Sequence, residues 1–260
     1  MEENIQTTPM RGRVTIIQLE ITYRCNLRCD RCNRHCHLDF LPYHKDADMT
    51  EYQLDKFIHQ VKVNNVHLHQ IRMLGGEPLL HPQADTFLSK LYYELMAEDR
   101  LDTIVIVTNG IIFRHERFKN VMNDPEISPL FESGRIRFQV AWPGKEDTFR
   151  GVFIAPVDMG MHWKECYVPR ACGSLLNTYG YWPNGNCAAI ARLLYLPHYA
   201  RYEYPLIFEE NWPTLESDLC RYCVKGNSAL NYNRSSATTE SYRKAMEKWK
   251  NGFEGRFDRF

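Results

Sequence analysis

Residues 14–33 read VTIIQLEITYRCNLRCDRCN, and the fold is decided where this stretch changes character. Its first half alternates: Ile17, Leu19 and Ile21 stand against Gln18, Glu20 and Thr22. A period of two with β-branching predicts a strand. Its second half delivers Cys25, Cys29 and Cys32 directly from the strand's end, a C-x3-C-x2-C spacing. A strand that feeds a loop of thiols is how an α/β fold builds a site, because such folds place ligands in the loops after their strands.

The alternation continues outward from there. Thr50 and Gln53 fit a capping box, followed by Leu54, Phe57, Ile58 and Val61 on one helical face. A strand around residues 70–74 ends in Gly75-Gly76. A helix is expected over 84–98, with Phe87, Leu88, Leu91, Tyr92 and Leu95 on one face. Residues 103–107 form a continuous apolar run suited to a strand covered on both faces, ending in the turn Thr108-Asn109-Gly110. A helix over 112–122 and a strand carrying Ile136, Phe138 and Val140 complete the series. Strand and helix in regular succession predict a parallel α/β layer or barrel. All three loop signals, 25–36, 75–78 and 108–110, fall after strands.

Composition narrows the function. The chain has 260 residues, with 32 Lys+Arg against 32 Asp+Glu. Zero net charge argues against broad electrostatic capture of nucleic acid. No run approaches the roughly 20 apolar residues of a membrane span, and the polar first 13 residues lack a signal peptide's apolar region. Nine cysteines are too dilute for a disulfide scaffold. They are also grouped: Cys25, Cys29, Cys32 and Cys36, then 129 residues without one, then Cys166, Cys172, Cys187, Cys220 and Cys223.

Three thiolates on one short loop can hold three irons of a 4Fe–4S cube and leave the fourth open to an exchangeable ligand. The spacing differs from the bacterial ferredoxin run, whose first gap is two and whose last cysteine precedes proline. His35 and His37 beside Cys36 keep zinc open as an alternative. Cys36 itself reads as a spare thiol or a packing residue. In the second set, Cys172, Cys187, Cys220 and Cys223 give C-x14-C, a gap of 32 and C-x2-C. Asn184-Gly185 between them reads as a hairpin turn, and AAIARLL after Cys187 as a short helix. The same four thiolates also suit a structural zinc.

LEITYRCNLRCDRCN resembles the cluster loop of the radical S-adenosylmethionine (SAM) enzymes, and Gly75-Gly76-Glu77-Pro78 resembles that family's GGEP motif. Thr108-Asn109-Gly110 is similar to a turn that lies near SAM in the family. The resemblance covers about residues 14–145. It implies a partial parallel (β/α)6-type barrel, abbreviated after Arg150. It further implies a 4Fe–4S cluster on Cys25, Cys29 and Cys32, with SAM on its open iron and against Gly75, Gly76, Glu77, Pro78, Thr108 and Asn109. The second set resembles the twitch form of the SPASM auxiliary domain, which implies a second 4Fe–4S cluster on Cys172, Cys187, Cys220 and Cys223.

The implied organisation is an N-terminal extension (1–13), the barrel (14–160), the auxiliary region (161–225) and a helical tail (226–260). The implied reaction is reductive cleavage of SAM to a 5′-deoxyadenosyl radical. That radical would take hydrogen from a polar small molecule (a sugar, nucleotide or amino acid), leading to oxidation or rearrangement. A low-potential donor such as flavodoxin or ferredoxin would supply the electron, in the cytoplasm. The alternatives are a maturase acting on a peptide and a non-catalytic iron–sulfur or zinc protein. Two departures stand out. Arg31 occupies the place of an aromatic residue before the third cysteine, and Val140-Ala141-Trp142-Pro143-Gly144 lacks the family's ribose-binding Ser and Asp. No residue is singled out as a general acid or base.

Overall fold

The computed structural model describes residues 14–27, 32, 34, 36, 48–111, 114–140, 172–193, 200–205 and 219. Strand β1 covers Ile16–Thr22. Helix α1 (Glu51–Val63) opens with the predicted box: Thr50 Oγ1 accepts from the Gln53 backbone, and the Gln53 side chain accepts from the Thr50 backbone. Such a cap contributes about 1 kcal/mol. Its buried residues are the four that the helical period selects, Leu54, Phe57, Ile58 and Val61.

Strand β2 is Leu68–Gly75, and helix α2 is Ala84–Leu91, extended by a wider turn over Tyr92–Met96. In that turn Ala97 N donates to Tyr92 O at 2.9 Å, five residues back, where the sequence predicts one uninterrupted helix. Strand β3 is Leu101–Thr108. The helix expected over 112–122 is broken into α3 (Arg114–Arg117) and α4 (Lys119–Met122) at Phe118, whose buried ring meets Phe138 edge-on. A further short helix, α5 (Ser128–Glu132), precedes β4 (Ile136–Val140).

Strands β1 to β4 are parallel and adjacent in the order β4-β3-β2-β1. Their register aligns Ile17, Ile71, Ile104 and Ile136 in one row and Leu19, Met73, Ile106 and Phe138 in the next. These rows and the buried faces of α1 and α2 form the core. The opposite face carries Gln18, Arg72, Val105 and Arg137, then Glu20, Leu74, Val107 and Gln139.

The sheet has six strands. Strand β5 (Ser174–Asn177) lies parallel along the free side of β1, and β6 (Gly180–Trp182) returns antiparallel to it. The hairpin therefore turns at Thr178-Tyr179, not at Asn184-Gly185 as expected. Asn184 instead caps helix α6 (Gly185–Leu193), its Oδ1 accepting from the backbones of Asn186 (2.9 Å) and Cys187 (3.1 Å). An Asn-Gly pair suits either position, because the amide oxygen that favours turns also satisfies open helix donors. Residues 141–171, 206–218 and 220–260 lie outside the description, and with them any further strands and the expected C-terminal helix. Among the described residues no helix is long and apolar enough to cross a membrane.

Candidate radical SAM site

Because β1 to β4 are parallel, Tyr23–Leu27, Gly75–Pro78 and Thr108–Gly110 emerge at one edge of the sheet. The structure ties these three loops together. The Glu77 side chain, with no exposure, is the hub. Its Oε1 accepts from Thr108 Oγ1 (2.8 Å) and the Leu79 backbone (3.1 Å), and its Oε2 from the Asn109 backbone (2.7 Å). Asn109 in turn donates from Nδ2 to Asn26 Oδ1 in the cysteine loop, at 2.7 Å. Pro78 is buried at the start of a single helical turn, Pro78–Leu80.

The two glycines have a packing task in the structure. A Cβ on Gly75 would stand 2.2 Å from Thr22 O, and one on Gly76 2.3 Å from Arg24 O. What comes close is the backbone leaving β1: Gly76 N donates to Thr22 O and Glu77 N to Arg24 O, at 2.8 and 2.7 Å. The glycines join the cysteine loop to the β2 loop, and a side chain at either position would force them apart.

The cysteine loop is also held from its other side. Thr22 Oγ1 donates to Asp48 at 2.5 Å, and Arg24 pairs with Asp48 at 2.7 Å. Within the loop, Leu27 N donates to Cys25 Sγ at 3.4 Å, a bond that favours thiolate character. Cys25 and Cys32 pack against Tyr23 and Cys36. Cys36, read from the sequence as a spare, is therefore beside the site. Its thiol is pushed well above the usual range, first by its hydrogen bond with Cys32 and then by burial. Its three-residue spacing from Cys32, matching that between Cys25 and Cys29, was the signal available for it. Cys29 lies outside the described residues, and the described side chains alone form no three-ligand metal group. Sulfur donors on a loop anchored to two neighbouring loops suit a cluster with soft-metal preference.

Below the loop, the polar face of β1 is buried. Tyr23 Oη donates to Glu20 Oε2 at 2.6 Å, and Asn177 Nδ2 donates to Tyr23 Oη at 2.8 Å. Burial, then the neighbouring Glu20, pushes the Tyr23 phenol well above its ordinary range. Arg34 reaches down to Glu20 Oε1 (3.2 Å) and Gln18 Oε1 (2.9 Å) and lies against Gly185 at the start of α6. Behind the loops, buried His81 is held neutral. Desolvation lowers its pKa, Nε2 donates to Met49 O (2.9 Å), and Nδ1 accepts from Gln83 N (3.1 Å).

The second cysteine set is partly described. Cys172 stands two residues before the first residue of β5, its carbonyl accepting from Gln18 Nε2 at 2.9 Å, and Cys187 is buried in the first turn of α6. Both stand toward the end of the sheet opposite the Cys25 loop, since β5 runs parallel to β1 and β6 returns. Cys166, Cys220 and Cys223 lie outside the described residues; Leu219, just before Cys220, is buried in the core.

The sequence and fold are similar to those of known proteins. The Radical SAM superfamily profile matches residues 19–138. GTP 3′,8-cyclase from Staphylococcus saprophyticus is 30% identical over 146 residues, covering 55% of this chain and 38% of that protein. GTP 3′,8-cyclase from Helicobacter pylori strain J99 is 32% identical over 98 residues, covering 37% of this chain and 28% of that one. The chain thus spans well under half the length of the curated relatives it matches. Among solved structures, BtrN in complex with AdoMet and 2-DOIA has a TM-score of 0.50 at 15% identity, covering 83% of this chain and 94% of that one, a likeness of fold. Residues 19–138 are thus similar to the radical SAM domain, and the profile and the GTP 3′,8-cyclase matches together support an enzyme of the radical SAM type.

Proposed function

We propose that this protein reductively cleaves SAM at a 4Fe–4S cluster held by Cys25, Cys29 and Cys32, and abstracts hydrogen from a polar small molecule. The observation that carries this reading is the joining of three loops at one sheet edge. Glu77 holds the Thr108-Asn109 turn, and Asn109 holds Asn26 between the first two cysteines. An electron carrier needs a cysteine loop but not the two further loops locked to it. When bound, the cluster and SAM supply the 5′-deoxyadenosyl radical, the hard chemistry that a protein leaves to its cofactors.

The chain's own residues bind and orient. Backbone groups at Gly75 and Gly76 and the turn at Thr108-Asn109 stand where SAM's amino acid end would lie. The Glu77 carboxylate acts through these loops, since its oxygens already accept from Thr108, Asn109 and Leu79. On the same face of the sheet, Arg72 of β2 and Gln139 of β4 offer hydrogen bonds to a hydroxylated or charged substrate held beneath the cluster. A nucleotide is the first substrate class to try, because the matched relatives bear the name of a GTP cyclase.

The finer architecture belongs to the same proposal. Strands β1 to β4 would be the first part of a partial barrel. Cys172, Cys187, Cys220 and Cys223 would hold an auxiliary 4Fe–4S cluster in a twitch-like region, with a flavodoxin or ferredoxin as donor. Cys172 and Cys187 both stand at the end of the sheet opposite the Cys25 loop, which supports a shared site for that pair. Anaerobic reconstitution, iron and sulfide counts, and assay of 5′-deoxyadenosine after reductant and SAM test the reaction. Zinc in place of iron, or no SAM cleavage by a loaded protein, would refute it. Loss of one cluster's iron in Cys220→Ala/Cys223→Ala is the expected result for the auxiliary site, and unchanged iron would remove that assignment.

A further inference from the structure

Helix α6 runs between the two cysteine regions. Cys187 sits in its first turn, and Arg192 near its end reaches the N-terminal cysteine loop. Arg192 is only 5% exposed. Its guanidinium lies over the Tyr23 ring, 3.9 Å from the centroid, and Tyr23 packs with Cys36, Cys25 and Cys32. Arg192 Nη1 donates to the Arg34 carbonyl at 3.0 Å, and the Cys36 thiol approaches the same oxygen at 3.9 Å. One carbonyl thus fixes the cation beside the thiols.

The charge balance of this pocket is incomplete. Glu20 is paired with Arg34, and among the described residues no carboxylate pairs with Arg192. Arg192 Nε and Nη2 are buried without acceptors among the described residues. A buried donor left open is costly, and a buried charge without a partner costs more. Two open guanidinium donors on one buried side chain are suited to an anion that completes them. A 4Fe–4S core with thiolate ligands has net negative charge, and one-electron reduction adds another negative charge.

We infer that Arg192 is the buried cation of the N-terminal cysteine site, its open Nε and Nη2 donors serving the sulfurs of the cluster and its thiolates, so that it favours the reduced form. Arg192 is a positioning and electrostatic residue, acting through the cluster. It also makes α6, the helix bearing Cys187, part of the wall of the SAM site. The inference rests on the proposed cluster at Cys25, Cys29 and Cys32.

The test is redox potentiometry by electron paramagnetic resonance on the anaerobically reconstituted full chain, following the signal that added SAM perturbs. In Arg192→Gln with full iron, the reduction equilibrium constant should fall about tenfold, a potential 59 mV more negative for one electron. Arg192→Lys should recover part of the shift. The shift must appear without SAM. An unchanged potential at full iron overturns the inference, and so does a shift seen only with SAM, which would assign the cation to a ligand carboxylate.

Should Arg192→Gln fail to load iron, the unaltered protein carrying 15N-guanidino arginine gives a second reading. Nitrogen coupling to the reduced, SAM-free cluster is expected and should vanish in Arg192→Lys. Its absence from the unaltered protein contradicts the inference. An unaltered protein that loads no iron refutes the proposed function itself, and this inference with it.

Discussion

On β1, Ile17, Leu19 and Ile21 turn to one face of the sheet while Gln18, Glu20 and Thr22 turn to the other, and the two sets are secured by different physics. The first set stacks into rows with β2 and β3 under α1 and α2, where burial alone stabilises and any apolar side chain of the right volume would serve. The second is polar yet also buried, and each member has a named partner: Cys172 and Arg34 for Gln18, Tyr23, Asn177 and Arg34 for Glu20, and Asp48 for Thr22. Hydrophobic burial is tolerant and large, whereas a buried polar network is smaller in net energy and specific in geometry. One face therefore holds the fold, and the other holds the cysteine loop in place.

The largest effect should come from the apolar face. Leu19→Ala opens a cavity in the row Leu19, Met73, Ile106 and should cost about 2–5 kcal/mol in denaturant unfolding. On the polar face, Glu20→Gln removes the charge opposite Arg34 while keeping an acceptor for Tyr23, and should cost about 1.5–3 kcal/mol, the range for hydrogen bonds to charged groups. An equal or greater loss than for Leu19→Ala would erase the contrast between the faces. Thr108→Val removes one bond to Glu77 at similar shape. We expect about 1 kcal/mol of stability from it, and a larger proportional loss in SAM affinity than Leu19→Ala shows. If SAM affinity is unchanged, the loop tie has no bearing on the site.

The smallest effect is a slope. His81 has its pKa lowered by burial, so the folded state binds fewer protons than the unfolded state as pH falls through about 6.5. Stability should decline below that pH and level off once the folded-state value is passed. His81→Gln should be less stable at pH 7.5 yet show a shallower decline below 6.5. A slope identical to that of the unaltered protein would mean other groups govern acid sensitivity.

Much of this was legible because it is local. The alternation in β1, the Thr50–Gln53 box and the face of α1 depend on neighbours in sequence, and the structure reproduces them. The three loop motifs were legible as turns after strands. What binds them was not. The clash that requires Gly75 and Gly76 lies with Thr22 and Arg24, and Arg192 meets Arg34 across 158 residues. Asn184-Gly185 caps a helix where the sequence predicts a hairpin turn, because both draw on the same side-chain chemistry. The break at Phe118 came from tertiary packing against Phe138 overriding a continuous helical pattern. Cys36 is a packing residue, one of the two roles its sequence allows, but spacing does not show which thiols a loop folds together, and only the structure places it against Cys32.

If the cysteine loop, Gly75–Pro78 and Thr108–Gly110 act as one site, that site cleaves SAM. The most direct test is the yield of 5′-deoxyadenosine from the anaerobically reconstituted, reduced chain, compared with the Cys25→Ala/Cys29→Ala/Cys32→Ala variant. The expected result is SAM-dependent 5′-deoxyadenosine from the unaltered chain and none from the variant. Full iron loading without 5′-deoxyadenosine, or equal yields from both proteins, would contradict it.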